Sequence, residues 1–136
     1  MIPLSKVIFR KSEREFLGRN ELCRLATCQD NIPHVVPVSY VFEDDKFYVA
    51  TDYDTKKYKN IKRNNKVALV IDIYGAVGNK AVCVQGVAQI IESGETFARL
   101  YRVFHERFEW VGQDSWEEGE APFLEVIPIG KVSWGL

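Results

Sequence analysis

Between Leu22 and Tyr74 the chain alternates short segments rich in Val, Tyr, Phe and Thr with turns rich in Asp, Glu and Asn. That rhythm restricts it to a strand-dominated fold. Leu22–Thr27, His34–Glu43 and Lys46–Ala50 read as strands, punctuated by Asp30-Asn31 and by Glu43-Asp44-Asp45. Tight connections of this kind build an antiparallel meander. Val67–Tyr74 continues the series, GAVGNK turns the chain, and Ala81–Glu92 reads as a long strand. Phe123–Ile129 and Lys131–Trp134 form a last strand, broken at Pro128-Ile129-Gly130. Three helices are expected. One covers residues 12–19, with Ser12 as cap and Glu15 completing a capping box. A second covers 55–65. The third, over 94–111, repeats Phe97, Leu100, Tyr101, Phe104, Phe108 and Val111 at steps of three and four. This aromatic stripe is read as core packing. An acidic loop follows over 113–121. Many short strands with tight turns point to a closed or nearly closed barrel, which also removes exposed sheet edges.

At 136 residues the chain is one domain, 1–136, and can bury a core without staples. Eighteen basic residues face nineteen acidic ones, a balance that argues against a general nucleic-acid binder. No apolar run approaches the ~20 residues that span a bilayer, so no membrane association is expected. The start, MIPLSKVIFRKSERE, has no long apolar region and no small-residue cleavage site, which predicts a cytoplasmic protein. Cys23, Cys28 and Cys83 show no C-x-x-C spacing and are expected to be reduced, inert thiols. With only two histidines, no metal site is expected.

The segment TDYDTKKYKNIKRNN is the most informative for chemistry. Thr55 or Asp54 can cap the helix, which puts Lys56 and Lys57 in its first turn. Cations are disfavoured there, because a helix N-terminus carries partial positive charge. A phosphate would relieve the conflict, held by first-turn amides, a Thr hydroxyl and two ammonium groups. That reading is preferred for Thr55, Lys56 and Lys57. Lys59, Lys62, Arg63 and Lys66 read as a solvated face. The strand HVVPVSYVF is the second feature. Pro37 cannot donate to a ladder, so it marks a plain edge strand or a face on which a flat aromatic ligand lies, hydrogen-bonded by Val38 and Ser39. His34 and His105 read as structural. No nucleophile elbow, P-loop or dinucleotide-binding glycine fingerprint is present.

The run RLATCQDNIPHVVPVSYVFEDDKFYVATDYDTKKYKNIKRNNKVALVID, followed by VCVQGVAQII and FLEVIPIGKVSWG, resembles the pyridoxamine-phosphate-oxidase-like, FMN-binding split-barrel family over roughly residues 12–134. The resemblance implies a mainly β (α+β) fold, a six-stranded antiparallel split β-barrel with flanking helices. It also implies a homodimer with FMN at the interface. Carried over by motif, the flavin ring lies along Val36, Pro37, Val38 and Ser39, and Thr51 contacts the ring or ribityl chain. Thr55, Lys56 and Lys57 hold the phosphate, Lys80 comes from the partner subunit, and Trp134 stands near the flavin edge. True pyridoxamine phosphate oxidases carry a C-terminal Arg-x-His substrate segment. This chain ends SWGL, so vitamin-B6 oxidation is not expected. The implied function is an FMN-dependent oxidoreductase acting on a small molecule. The alternatives are a reductase using the 8-hydroxy-5-deazaflavin coenzyme and a non-catalytic flavin carrier or sensor.

Overall fold

The computed structural model of the chain describes residues 7–136. Its elements run α1 (Lys11–Arg19), β1 (Leu22–Gln29), β2 (Ile32–Ser39), β3 (Val41–Glu43), β4 (Lys46–Ala50), α2 (Lys56–Arg63), β5 (Lys66–Gly75), β6 (Gly78–Ile91), α3 (Gly94–Arg107), α4 (Glu109–Gln113) and β7 (Phe123–Trp134). The strands form one antiparallel sheet in the order β2-β1-β5-β6-β7-β4-β3. Its two edge strands, β2 and β3, are separated in sequence by Tyr40 alone. The sheet must therefore curl until its edges approach each other, and this gives the split barrel.

The barrel has seven strands where six were expected, because the segment 34–43 is two strands. Tyr40 leaves the ladder between them. It is fully buried, its hydroxyl donates to the Leu17 carbonyl at 2.6 Å, and its amide donates to the Glu21 carbonyl at 3.0 Å. The turns at Asp30-Asn31 and Asp44-Asp45 fall where the sequence puts them. All four residues have φ between 51° and 62°, the left-handed region that two-residue hairpins use.

Three further expectations are corrected. The cap of helix α1 lies two residues earlier than the Ser12/Glu15 reading: Arg10 is the cap residue, and its amide donates to Glu13 Oε1 at 2.7 Å. The aromatic helix over 94–111 is two helices, α3 and α4, with extended backbone at Phe108 (φ −122°, ψ 121°). The last strand is continuous through Pro128-Ile129-Gly130. Gln85 pairs with Gly130 and Gly86 with Pro128, so Ile129 is an extra residue accommodated as a β-bulge. Gly86 is required there, since a Cβ would come within 2.7 Å of Val126 Cγ1 and 2.8 Å of the Ile127 oxygen.

The core has two parts. One fills the barrel, with Phe9, Leu25, Tyr40, Phe47, Val84 and Leu124 among its members. The other joins the sheet to α3 and α4 through Val41, Tyr48, Leu100, Phe104, Val111 and Phe123, so the aromatic stripe is core as read from its period. Buried Glu13 ties the first core to the C-terminal strand. It is 1% exposed, accepts from Ser133 Oγ at 2.5 Å and is ion-paired with Lys131. Among the described residues, no helix is long and apolar enough to cross a membrane.

Candidate functional site

Helix α2 follows β4 after a short loop and packs on β1. A buried hydrogen bond fixes it there, Asn60 Nδ2 donating to Thr27 Oγ1 at 3.0 Å. Its N-terminus is organised by two threonines. Thr55 is the cap and accepts from the Tyr58 amide at 3.3 Å, while its hydroxyl donates to the Asp52 carbonyl at 2.9 Å. Thr51, buried at the end of the β4 segment, has Oγ1 3.0 Å from Thr55 Oγ1. The amides of Lys56 and Lys57 sit in the first turn and have no acceptor within the helix.

Charge at this helix end is reversed relative to the others. The first turns of α1, α3 and α4 carry Glu13, Glu95 and Glu109, whereas α2 has no acid there. Lys56 is exposed and Lys57 is half-buried. Burial lowers the pKa of the Lys57 ammonium, and the nearby Asp52 carboxylate offsets this only in part. Among the described residues, Lys57 takes part in no ion pair. A cation held partly out of water, without a partner, at the positive end of a helix dipole is complementary to an anion.

Val36, Pro37, Val38 and Ser39 lie on β2, the sheet edge. Pro37 thus occupies a place where a missing amide costs no ladder bond. Val36 and Val38 stand opposite Leu25 and Cys23, both buried; Pro37 and Ser39 stand opposite Arg24 and Leu22 on the outward face. His34, opposite Thr27, has its Nδ1 shielded from solvent and without a hydrogen-bond partner. Lys80 and Trp134 lie elsewhere, near the ends of β6 and β7 and on opposite faces of the sheet. Ala81, next to Lys80, pairs with Trp134 across the β6–β7 ladder. Among the described residues, no hydrogen bond or ion pair links this pair to Thr51, Thr55 or Lys57 within one subunit.

The outward face of β2, β1, β5, β6 and β7 carries a row in register: Pro37, Arg24, Val70, Cys83 and Val132. A groove of roughly 540 Å³ runs over it, lined also by Ala26, Val35, Ala68 and Gln85. Val35 and Val132 line it and are each 63% exposed; Trp134 lies two residues beyond Val132 and is 40% exposed. Arg24 is held over this face by Asp72 at 2.6 Å. Sequence reasoning missed this face. Its residues alternate with core residues on the same strands, and that alternation was the available signal.

A curled antiparallel sheet with a helix plugged beside its first hairpin defines a split-barrel protein, and the comparisons agree. The family model described as pyridoxamine 5'-phosphate oxidase matches residues 9–129, so the chain belongs to that family. No curated protein matches the sequence. Among solved structures, the chain is similar to an FAD-binding protein from Mesorhizobium loti (23% identity, TM-score 0.72, covering 92% of this chain and 94% of that one). It is also similar to a putative pyridoxamine 5'-phosphate oxidase from Listeria innocua (15% identity, TM-score 0.74, 90% and 95% covered). A heme storage protein from Vibrio cholerae has the same fold (17% identity, TM-score 0.76, 93% and 94% covered).

Proposed function

We propose that the protein binds FMN and works as a flavin-dependent oxidoreductase on a small molecule, as a homodimer. The observation that carries this is the N-terminus of α2, where half-buried Lys57, exposed Lys56 and the first-turn amides converge without an acid in the first turn. Those groups fit a terminal phosphate. Thr51 and Thr55 set the shape of the cradle, and Asn60 holds the helix against Thr27. The edge strand from Val36 to Ser39 would take the ring, and the unpartnered His34 Nδ1 on β2 is an unused polar group on the same strand. Bound flavin supplies hydride or electron transfer. The chain's part is to bind it, orient it and exclude water.

Dimerisation rests on the outward face. Exposed Val35 and Val132 in a mostly apolar groove, with exposed Trp134 further along β7, make a surface of the kind an isologous contact covers. Trp134 lies two residues beyond Val132 on the same face and would reach the partner's cofactor, as would Lys80 from the start of β6. The FAD-binding protein from Mesorhizobium loti has the same fold, in keeping with a flavin ligand. The test is spectroscopic. Purified protein titrated with FMN should show saturable, red-shifted flavin bands, which NADH or NADPH bleaches and air restores. A flavin that binds but resists every donor would remove the oxidoreductase reading, and absence of saturable binding would remove the flavin reading itself.

A further inference from the structure

Tyr53 lies outside both cores, yet its side chain is tied at two points. It sits in the loop between β4 and α2, the loop that leads into the α2 cap. Residues 52–55 form a turn, closed by the Thr55 amide donating to the Asp52 carbonyl at 3.4 Å. The same carbonyl accepts from the Thr55 hydroxyl at 2.9 Å. That carbonyl and the Tyr53 amide belong to one planar peptide unit. Whatever orients Tyr53 therefore orients the group from which the Thr55 cap hangs.

Two contacts orient it. The Tyr53 ring stands edge-on to Tyr58, with centroids 5.0 Å apart and planes at 86°. Tyr58 is buried on α2, and its amide donates to Thr55 Oγ1 at 3.3 Å. The Tyr53 hydroxyl donates to Glu92 Oε1 at 3.1 Å. Glu92 stands at the corner where β6 ends at Ile91 and Ser93 caps α3. Burial and the Glu92 carboxylate both raise the phenol's pKa, so the hydroxyl remains a donor. Tyr53 is thus a strut from the first turn of α2 to the end of the sheet. Asp52 and Asp54 on either side of it are exposed, so little else holds this turn. A loop fixed before its ligand arrives loses less freedom on binding.

We propose that Tyr53 is a positioning residue for the phosphate cradle: its hydroxyl on Glu92 and its ring on Tyr58 hold the 52–55 turn, so that Thr55 and the first-turn amides of α2 meet a terminal phosphate already aligned. Tyr53 acts through Thr55, without a contact of its own to the phosphate. The proposal rests on the flavin reading and adds to it the residue pair that sets the cradle's geometry.

Fluorescence titration of the whole protein with FMN and with riboflavin, which lacks the phosphate, tests this. Wild type should hold FMN at least about tenfold more tightly than riboflavin. Tyr53→Phe keeps the ring on Tyr58 and loses only the hydroxyl. It should weaken FMN about three- to tenfold, the range of one hydrogen bond, and leave riboflavin within about twofold. Riboflavin binding also reports that the variant is folded. Glu92→Leu should match Tyr53→Phe, and the two changes together should cost no more than either alone, since they break one contact. Glu92→Gln keeps an acceptor and removes the charge, so FMN affinity should stay within about twofold of wild type. Unchanged FMN affinity in Tyr53→Phe, an equal loss of riboflavin, or additive losses in the double variant would overturn the proposal. A wild type that does not prefer FMN to riboflavin would remove the phosphate cradle, and the proposal with it. A clear preference that Tyr53→Phe retains in full would remove the positioning role alone.

Discussion

Replacing Lys57 by Gln separates a phosphate cradle from a merely basic helix. The ammonium is half-buried and unpaired, so water screens it little. A hydrogen bond to a charged group contributes ~1.5–3 kcal/mol. Taking about 2 kcal/mol, Lys57→Gln should weaken FMN roughly thirtyfold. Lys56 is exposed, and exposed charge pairs contribute ~0.2–1 kcal/mol, so Lys56→Gln should cost only about two- to threefold. The apo-protein should lose no stability in Lys57→Gln, because a desolvated cation leaves the positive end of a helix dipole. Riboflavin lacks the phosphate and should bind wild type and variant alike. Lys62→Gln with Arg63→Gln is the control from the solvated face of α2. Fluorescence titration with both flavins and a thermal melt of each apo-protein provide the readouts. Unchanged FMN affinity in Lys57→Gln, an equal loss in the control, or a parallel loss of riboflavin would refute the reasoning.

Glu13 gives a pH test. Burial alone would raise its pKa, but hydrogen bonds from Lys131, Ser133 and the Arg10 amide outweigh that and hold it at about 2 against an ordinary 4.5. A carboxylate depressed on folding stabilises fully above its unfolded pKa and loses that stabilisation as pH falls toward the folded one, here between about 4.5 and 2. Glu13→Gln should therefore cost about 3 kcal/mol at pH 7, and urea unfolding should show the gap to wild type closing on acidification; a gap that stays constant to pH 3 contradicts the assignment. Val132→Asp should place a charge on the apolar outward face, so sedimentation should find the wild type as a dimer and the variant as a monomer. Thiol titration of the unfolded, unreduced protein should find all three cysteines, and in the native state Cys23 should react slowest, since burial pushes its thiol up to about 12.

What the sequence disclosed was local. The hairpin turns were readable because Asp30, Asn31, Asp44 and Asp45 are residue types that tolerate positive φ. The α2 cap was readable because Thr55 and the misplaced lysines lie within three residues. Glu13 was not, since it is buried by Lys131 and Ser133, about 120 positions away, and a local capping pattern pointed to Ser12 and Glu15 instead. The break at Tyr40 was hidden because tyrosine is as good a strand former as its neighbours; only its burial against Leu17 turns it out of the ladder. Residues 113–121 read as an acidic loop because four of the nine are acids and one is glycine. Trp110 and Trp116 stand on either side of the Gln113–Asp114 turn, and contact between them depends on α4 being separate from α3.

Strand β7 is made last, yet it alone bonds β6 to β4. While the ribosome is still upstream of Phe123, the nascent chain can assemble only two disconnected β units, β2-β1-β5-β6 and the β3–β4 hairpin. Each presents a raw edge that any other extended chain could pair with. The β6 edge is the longer, with fourteen residues. Synthesis thus passes through a window, closed by β7, in which these edges stand unpaired.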